Sequence, residues 1–93
     1  MYMEYMLENN KYKFSKGDKD AFDLETVKSL YTDYFYEFDY IFGDIAYNKL
    51  RLKGFCKAGN KRLNKTNDIK NLDSYIKNYC ATGAKWFLLE KIK

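Results

Sequence analysis

The chain has 93 residues, 17 basic against 13 acidic side chains, ten tyrosines, two cysteines, and neither proline nor histidine. That length holds one domain with a modest core, and the lack of histidine excludes His-based nucleophilic catalysis and His-containing zinc sets, while two cysteines make no disulfide framework. Without a leader-like N-terminus or an apolar run of membrane-spanning length, the expectation is a cytoplasmic protein with reduced thiols, no metal and no cofactor.

Residues 2–8 alternate, with Met3, Tyr5 and Leu7 on one side and Glu4 and Glu8 on the other, before Asn9-Asn10 interrupts the run. Asn tolerates positive φ, so the spacing predicts a two-residue hairpin that sets Leu7 opposite Tyr12 and Tyr5 opposite Phe14. A polar connection leads to a helix starting near Asp23, whose carboxylate caps the first turn, with Phe22 and Val27 placed as a hydrophobic staple. Leu24, Val27, Tyr31, Tyr34, Phe35 and Phe38 follow at helical spacing and read as a core-facing stripe, not an aromatic ligand box.

Residues 39–55 read as strand, turn and strand. With Tyr47-Asn48 as the loop, Ala46 lies opposite Lys49, Asp44 opposite Arg51, Phe42 opposite Lys53 and Tyr40 opposite Phe55. Ile41, Gly43 and Ile45 then meet Leu50, Leu52 and Gly54 on a second face that belongs on the helices. Gly43 and Gly54 mark bulges or close approach. Residues 56–66 form a basic loop, either mobile or a binding loop. A second helix starts near Asp68 or Asn71 with Ile69, Leu72, Ile76, Tyr79 and Cys80 as its apolar stripe; Gly83 suits a left-handed cap, and residues 84–92 are apolar enough for a central strand. The order β-β-α-β-β-α-β predicts a two-layer α+β domain spanning residues 1–93, an antiparallel sheet of about five strands with both helices on one face.

Tyr40-Ile-Phe-Gly-Asp44 and Leu50-Arg-Leu-Lys-Gly-Phe55, with the N-terminal hairpin, a Tyr-rich second helix ending at Cys80, and Gly83 before an aromatic strand, resemble the YutD-like family. These are small proteins of low-GC Gram-positive bacteria and their wall-less relatives, and the resemblance covers nearly the whole chain. It implies a small cytosolic α+β fold and no established biochemical activity. Ile45 stands where the family often has an aromatic after Gly-Asp, and Asn48 where it often has a turn glycine.

Charge is uneven along the chain. Residues 1–46 carry 5 basic and 10 acidic side chains, residues 47–93 carry 12 and 3, and the segment from Lys49 to Lys65 holds seven cations and no acid. Such a block points to an anionic partner. Single-stranded RNA is held by aromatic stacking and phosphate neutralisation, so Tyr40, Phe42 and Phe55 are expected as stacking platforms and Lys49, Arg51, Lys53, Lys57, Lys61, Arg62 and Lys65 as phosphate contacts. The alternative is an adaptor docking on an acidic protein surface, since exposed aromatics ringed by charge also make a protein interface. In either case a monomer is expected. Asp44 reads as the cross-strand partner of Arg51, a pairing that would make it a poor general base, and no other catalytic constellation is present, so the chain does not read as an enzyme.

Overall fold

Residues 3–80 and 83–92 are described in the computed structural model, so the Tyr2 end of the expected first strand lies outside them. The strands are β1 (Glu4–Leu7), β2 (Asn10–Gly17), β3 (Tyr40–Ala46), β4 (Lys49–Phe55) and β5 (Trp86–Ile92); the helices are α1 (Leu24–Leu30) and α2 (Leu72–Tyr79). The strands form one sheet in the order β1-β2-β5-β3-β4, every neighbour antiparallel. The α+β class, the order of elements and the central position of the last strand are as the sequence predicts.

The placement of the helices is not. Successive side chains of a strand point to opposite faces, and Ile41, Phe87 and Leu89 pack with Val27 of α1, whereas Phe42 and Leu88 pack with Leu72 of α2. The helices therefore cover opposite faces, and the molecule has three layers, not two. The physical reason is that both faces of the β3–β4 hairpin carry buried apolar residues. One offers Ile41 and Gly43, the other Phe42 and Phe55, and each needs a cover.

On the α1 face the core is mostly aromatic. Phe22 lies edge-on to Phe87 at 5.2 Å and to Phe14 at 5.8 Å. A Cβ at Gly43 would run into the Phe87 ring and one at Gly54 into the Phe38 ring, so both glycines are sites of close approach. Asp23 caps α1 as expected, accepting from the Glu25 N–H at 3.2 Å and the Thr26 hydroxyl at 2.8 Å. The helix ends earlier than its stripe predicts. Tyr31 and Thr32 turn extended, and a 3-10 turn, Asp33–Phe35, follows. Tyr31, Phe35 and Phe38 still reach the core, but Tyr34 is left exposed.

The first hairpin keeps its expected faces but shifts its turn by one residue. Leu7 pairs with Asn10 and Tyr5 with Tyr12, so Glu8-Asn9 forms the loop and Glu8 takes φ 56°. Contacts from distant elements hold this register. The Tyr36 hydroxyl donates to the Glu8 carboxylate, which pushes that phenol up to about 12. Asn10 donates to the Tyr31 hydroxyl at 3.1 Å, and that hydroxyl shares a 2.8 Å hydrogen bond with buried Tyr12. Gly83 is left-handed, at φ 78°, but α2 has already ended at Tyr79, so this glycine serves the turn into β5 and not the helix cap.

Candidate functional site

The β3–β4 hairpin has the register its sequence predicts, from Ala46 opposite Lys49 to Tyr40 opposite Phe55. Tyr47 and Asn48 take φ 52° and 62°, the pair of left-handed residues that matches the twist of a two-residue hairpin. What covers the charged face decides what it can do. Phe42 and Phe55 are completely buried there, 5.6 and 5.4 Å from the Tyr75 ring of α2, and Phe42 also packs on Trp86. They are core residues, so the expected stacking platforms are closed. Tyr40 is half-buried, with the Lys57 ammonium 5.6 Å from its ring centre.

The segment before α2 is what brings the helix onto this face. Cys56 donates to the Asn67 carbonyl at 2.7 Å and accepts from the Ile69 N–H at 2.9 Å, a parallel bridge that anchors residues 67–69 beside the end of β4. Asp68 then caps a 3-10 turn, Ile69–Asn71, that runs directly into α2. Leu72, Ile76 and Cys80 face the sheet.

Of the seven cations between residues 49 and 65, three meet carboxylates of the protein itself. Arg51 grips buried Asp44 through two nitrogens, at 2.5 and 3.2 Å. Lys57 lies 3.1 Å from Glu90, and Arg62 forks onto Glu37 at 3.2 Å. Asp44 also takes the Cys80 thiol at 3.6 Å; burial, and then the Asp44 charge, push that thiol up, making it a poor nucleophile. Among the described residues no carboxylate pairs with Lys49, Lys53, Lys61 or Lys65.

The basic loop is braced. Asn60 donates to the Glu37 carbonyl at 2.8 Å and to Asp39 at 2.9 Å, Lys57 N–H donates to Asp39 at 2.8 Å, and buried Asn67 donates to the Arg62 carbonyl at 2.8 Å. This bracing carries Lys65 and Thr66 to one side of a cleft of about 500 Å³, with Lys53 of β4 on its floor. Its other wall is Asn71, Ser74, Tyr75, Asn78 and Tyr79. These follow at steps of three and four, one face of the helix. Tyr79 is 68% exposed and stacks on Tyr75 at 5.1 Å; Lys53 lies 5.4 Å from the Tyr75 centre. Burial pushes the Tyr75 phenol up.

So the structure brings Lys53 and Lys65 together, leaves Lys49 and Lys61 exposed elsewhere, and engages Arg51, Lys57 and Arg62 in ion pairs. Sequence reasoning assigned Tyr79 to the buried stripe and missed the cleft wall, although the 71/74/75/78/79 spacing was there to be read. The arrangement offers cation, aromatic and amide groups to a ligand. Among the described residues, no cluster of three or more His, Cys, Asp or Glu is placed to hold a metal.

The sequence profile of the family described as "Putative antitoxin YutD-like" matches residues 6–90. The chain belongs to the YutD-like family. It is 36% identical over 88 residues to "Putative antitoxin YutD" of Bacillus subtilis (strain 168), a match covering 95% of this chain and 97% of that relative. The solution NMR structure of YutD from B. subtilis superposes with a TM-score of 0.78 at 35% identity, over 98% of this chain and 83% of that one. The resemblance carried by the β3 and β4 segments is thereby confirmed as family membership. The family and the curated B. subtilis relative carry the description "putative antitoxin" and not an enzyme's name, and among the described residues no helix of this YutD-like protein is long and apolar enough to cross a membrane.

Proposed function

We propose that this YutD-like protein is a cytosolic, non-catalytic binding protein that acts as a monomer and captures a partner protein in the α2 cleft. The observation that carries this reading is the cleft wall itself. Tyr, Asn and Ser on one face of a helix are the residue types that antibody paratopes use, rigid amphipathic rings beside adaptable polar groups, and Lys53 and Lys65 border them as a polar rim. A protein ligand is also compatible with the name of the B. subtilis relative, "Putative antitoxin YutD". Ion pairing of Arg51, Lys57 and Arg62 reduces the charge left for phosphates.

A second reading, single-stranded RNA, is favoured by one feature. The exposed Tyr79 ring, backed by Tyr75 and bordered by lysines, suits a stacked base with its phosphates. Tagged protein captured from cells with and without nuclease, alongside a titration of single-stranded RNA over a salt series, separates the two. A partner protein should survive nuclease and be lost from a Lys65→Glu, Tyr79→Ala variant. RNA binding whose log–log salt slope falls by about 0.7 for each lysine removed would favour the second reading and sink the first.

A further inference from the structure

The cleft opens onto the rim of the sheet, where β4 is an outermost strand. Because Tyr47-Asn48 is a two-residue turn, Ala46 and Lys49 form a hydrogen-bonded pair. Lys49, Arg51, Lys53 and Phe55 then aim N–H and C=O at β3, while Leu50, Leu52 and Gly54 aim theirs outward. Two bonds fix this alternation. The Phe55 carbonyl accepts from the Asp39 N–H at 3.0 Å on the β3 side, and Cys56, one residue on, makes both its bonds outward to Asn67 and Ile69. The chain thus already adds a short parallel segment to its own edge at Cys56. Among the described residues, nothing takes the backbone groups of residues 50 and 52, whereas Gly54 is buried near Thr66 and Asn67.

A hollow flanks this bare edge on each face. On the α2 side is the cleft with Lys53, Lys65 and Tyr75; on the α1 side is a smaller one of about 180 Å³, with Tyr34, Leu52 and Asn64 in its walls, and Thr66 borders both. Side chains of an extended peptide alternate between faces, so a strand laid on β4 would send successive side chains into one hollow and then the other. A second copy of the chain is a poor occupant, since β4 against β4 would oppose Lys49, Arg51 and Lys53 with one another. Edge lysines ordinarily keep strands apart. An acidic segment turns that guard into a contact.

We infer that β4 receives an acidic, extended segment of the partner protein as a sixth strand. Its backbone bonds to Leu50 and Leu52, and its carboxylates sit beside Lys53 and Lys65. This rests on the partner being a protein and specifies how it is held: main-chain bonds supply affinity, and the two hollows supply selectivity.

The test uses the full chain, labelled for NMR, with a short capped peptide of alternating Glu and Val, its Lys-Val counterpart and a single-stranded RNA of similar length. The acidic peptide is expected to slow amide exchange at Leu50 and Leu52, with binding weakened by salt, while the basic peptide leaves them unchanged. Methylating alternate peptide nitrogens should lower affinity about tenfold for the set that faces β4, by deleting its hydrogen bonds, and have little effect for the other set. Equal binding of the two methylated peptides, equal binding of the basic peptide, or no protection at the two amides overturns the proposal. A partner protein whose footprint falls on α2 alone, with residues 50 and 52 exchanging freely, overturns the sixth strand and leaves the protein-binding reading standing. RNA that occupies the Tyr79 cleft while neither the acidic peptide nor any nuclease-resistant partner binds overturns both.

Discussion

The α1 face of the sheet is closed by ring against ring, whereas the α2 face mixes buried rings with charge and ends in an open cleft. Both draw on β3 and β4, and the difference comes from what lies above them. Over the first, Phe22, Tyr31, Phe35 and Phe38 arrive from several short turns and fill the space. Over the second, a single eight-residue helix covers Phe42 and Phe55, and its outer side chains are left to solvent beside Lys53. A face can therefore hold three aromatics among three cations and still be core, because α2 takes the rings while the lysine stems pass around its edge.

Truncations test that contrast most strongly. Phe87→Ala on the α1 face and Phe42→Ala on the α2 face should each cost about 3–5 kcal/mol in urea denaturation, the range for emptying a buried aromatic site. A loss below about 1 kcal/mol for Phe42 alone would show that the second face is open after all. Asp44→Asn should cost about 1–2 kcal/mol, since a buried carboxylate loses its charged hydrogen bonds while half-exposed Arg51 returns to water. Tyr79→Ala should change stability by less than about 0.5 kcal/mol, as expected of a surface ring. A large loss would place Tyr79 in the core.

The smallest effect concerns protonation. The Arg62 guanidinium holds the Glu37 carboxyl below the ordinary glutamate range. A depressed folded value contributes stability that is complete above the ordinary glutamate pKa and is lost as pH falls through the lowered one. In an NMR titration Glu37 should titrate lower than an unpaired glutamate, and Arg62→Gln should return it to the ordinary range. If Glu37 titrates alike in both proteins, the braced loop is not held by that pair.

Much of the fold was legible because local signals agreed with one another. In the β3–β4 hairpin the alternation, the Tyr47-Asn48 turn and the small residues opposite the helices all specify one register. The failures share a different cause. The first turn slid to Glu8-Asn9 because hydroxyls of Tyr31 and Tyr36, remote in sequence, bind Asn10 and Glu8. Tyr79 follows Leu72 by seven residues, a sheet-facing spacing, yet in the last turn its ring stacks on Tyr75 and stays exposed, because periodicity fixes a direction and not whether the sheet reaches beneath it. The aromatic platform failed because alternation shows which side chains share a face, but not which helix will cover it. Lys53 and Lys65 are the two expected contacts that reached the cleft, one fixed by strand register and the other carried there by loop hydrogen bonds that no periodicity reveals.

That the α2 cleft holds a protein is tested most directly by calorimetric titration of a nuclease-resistant partner, recovered with the tagged chain, into the wild type and Tyr79→Ala. Loss of a buried interface tyrosine should weaken binding about tenfold or more while both proteins remain equally folded. Equal affinity for the two would contradict the account.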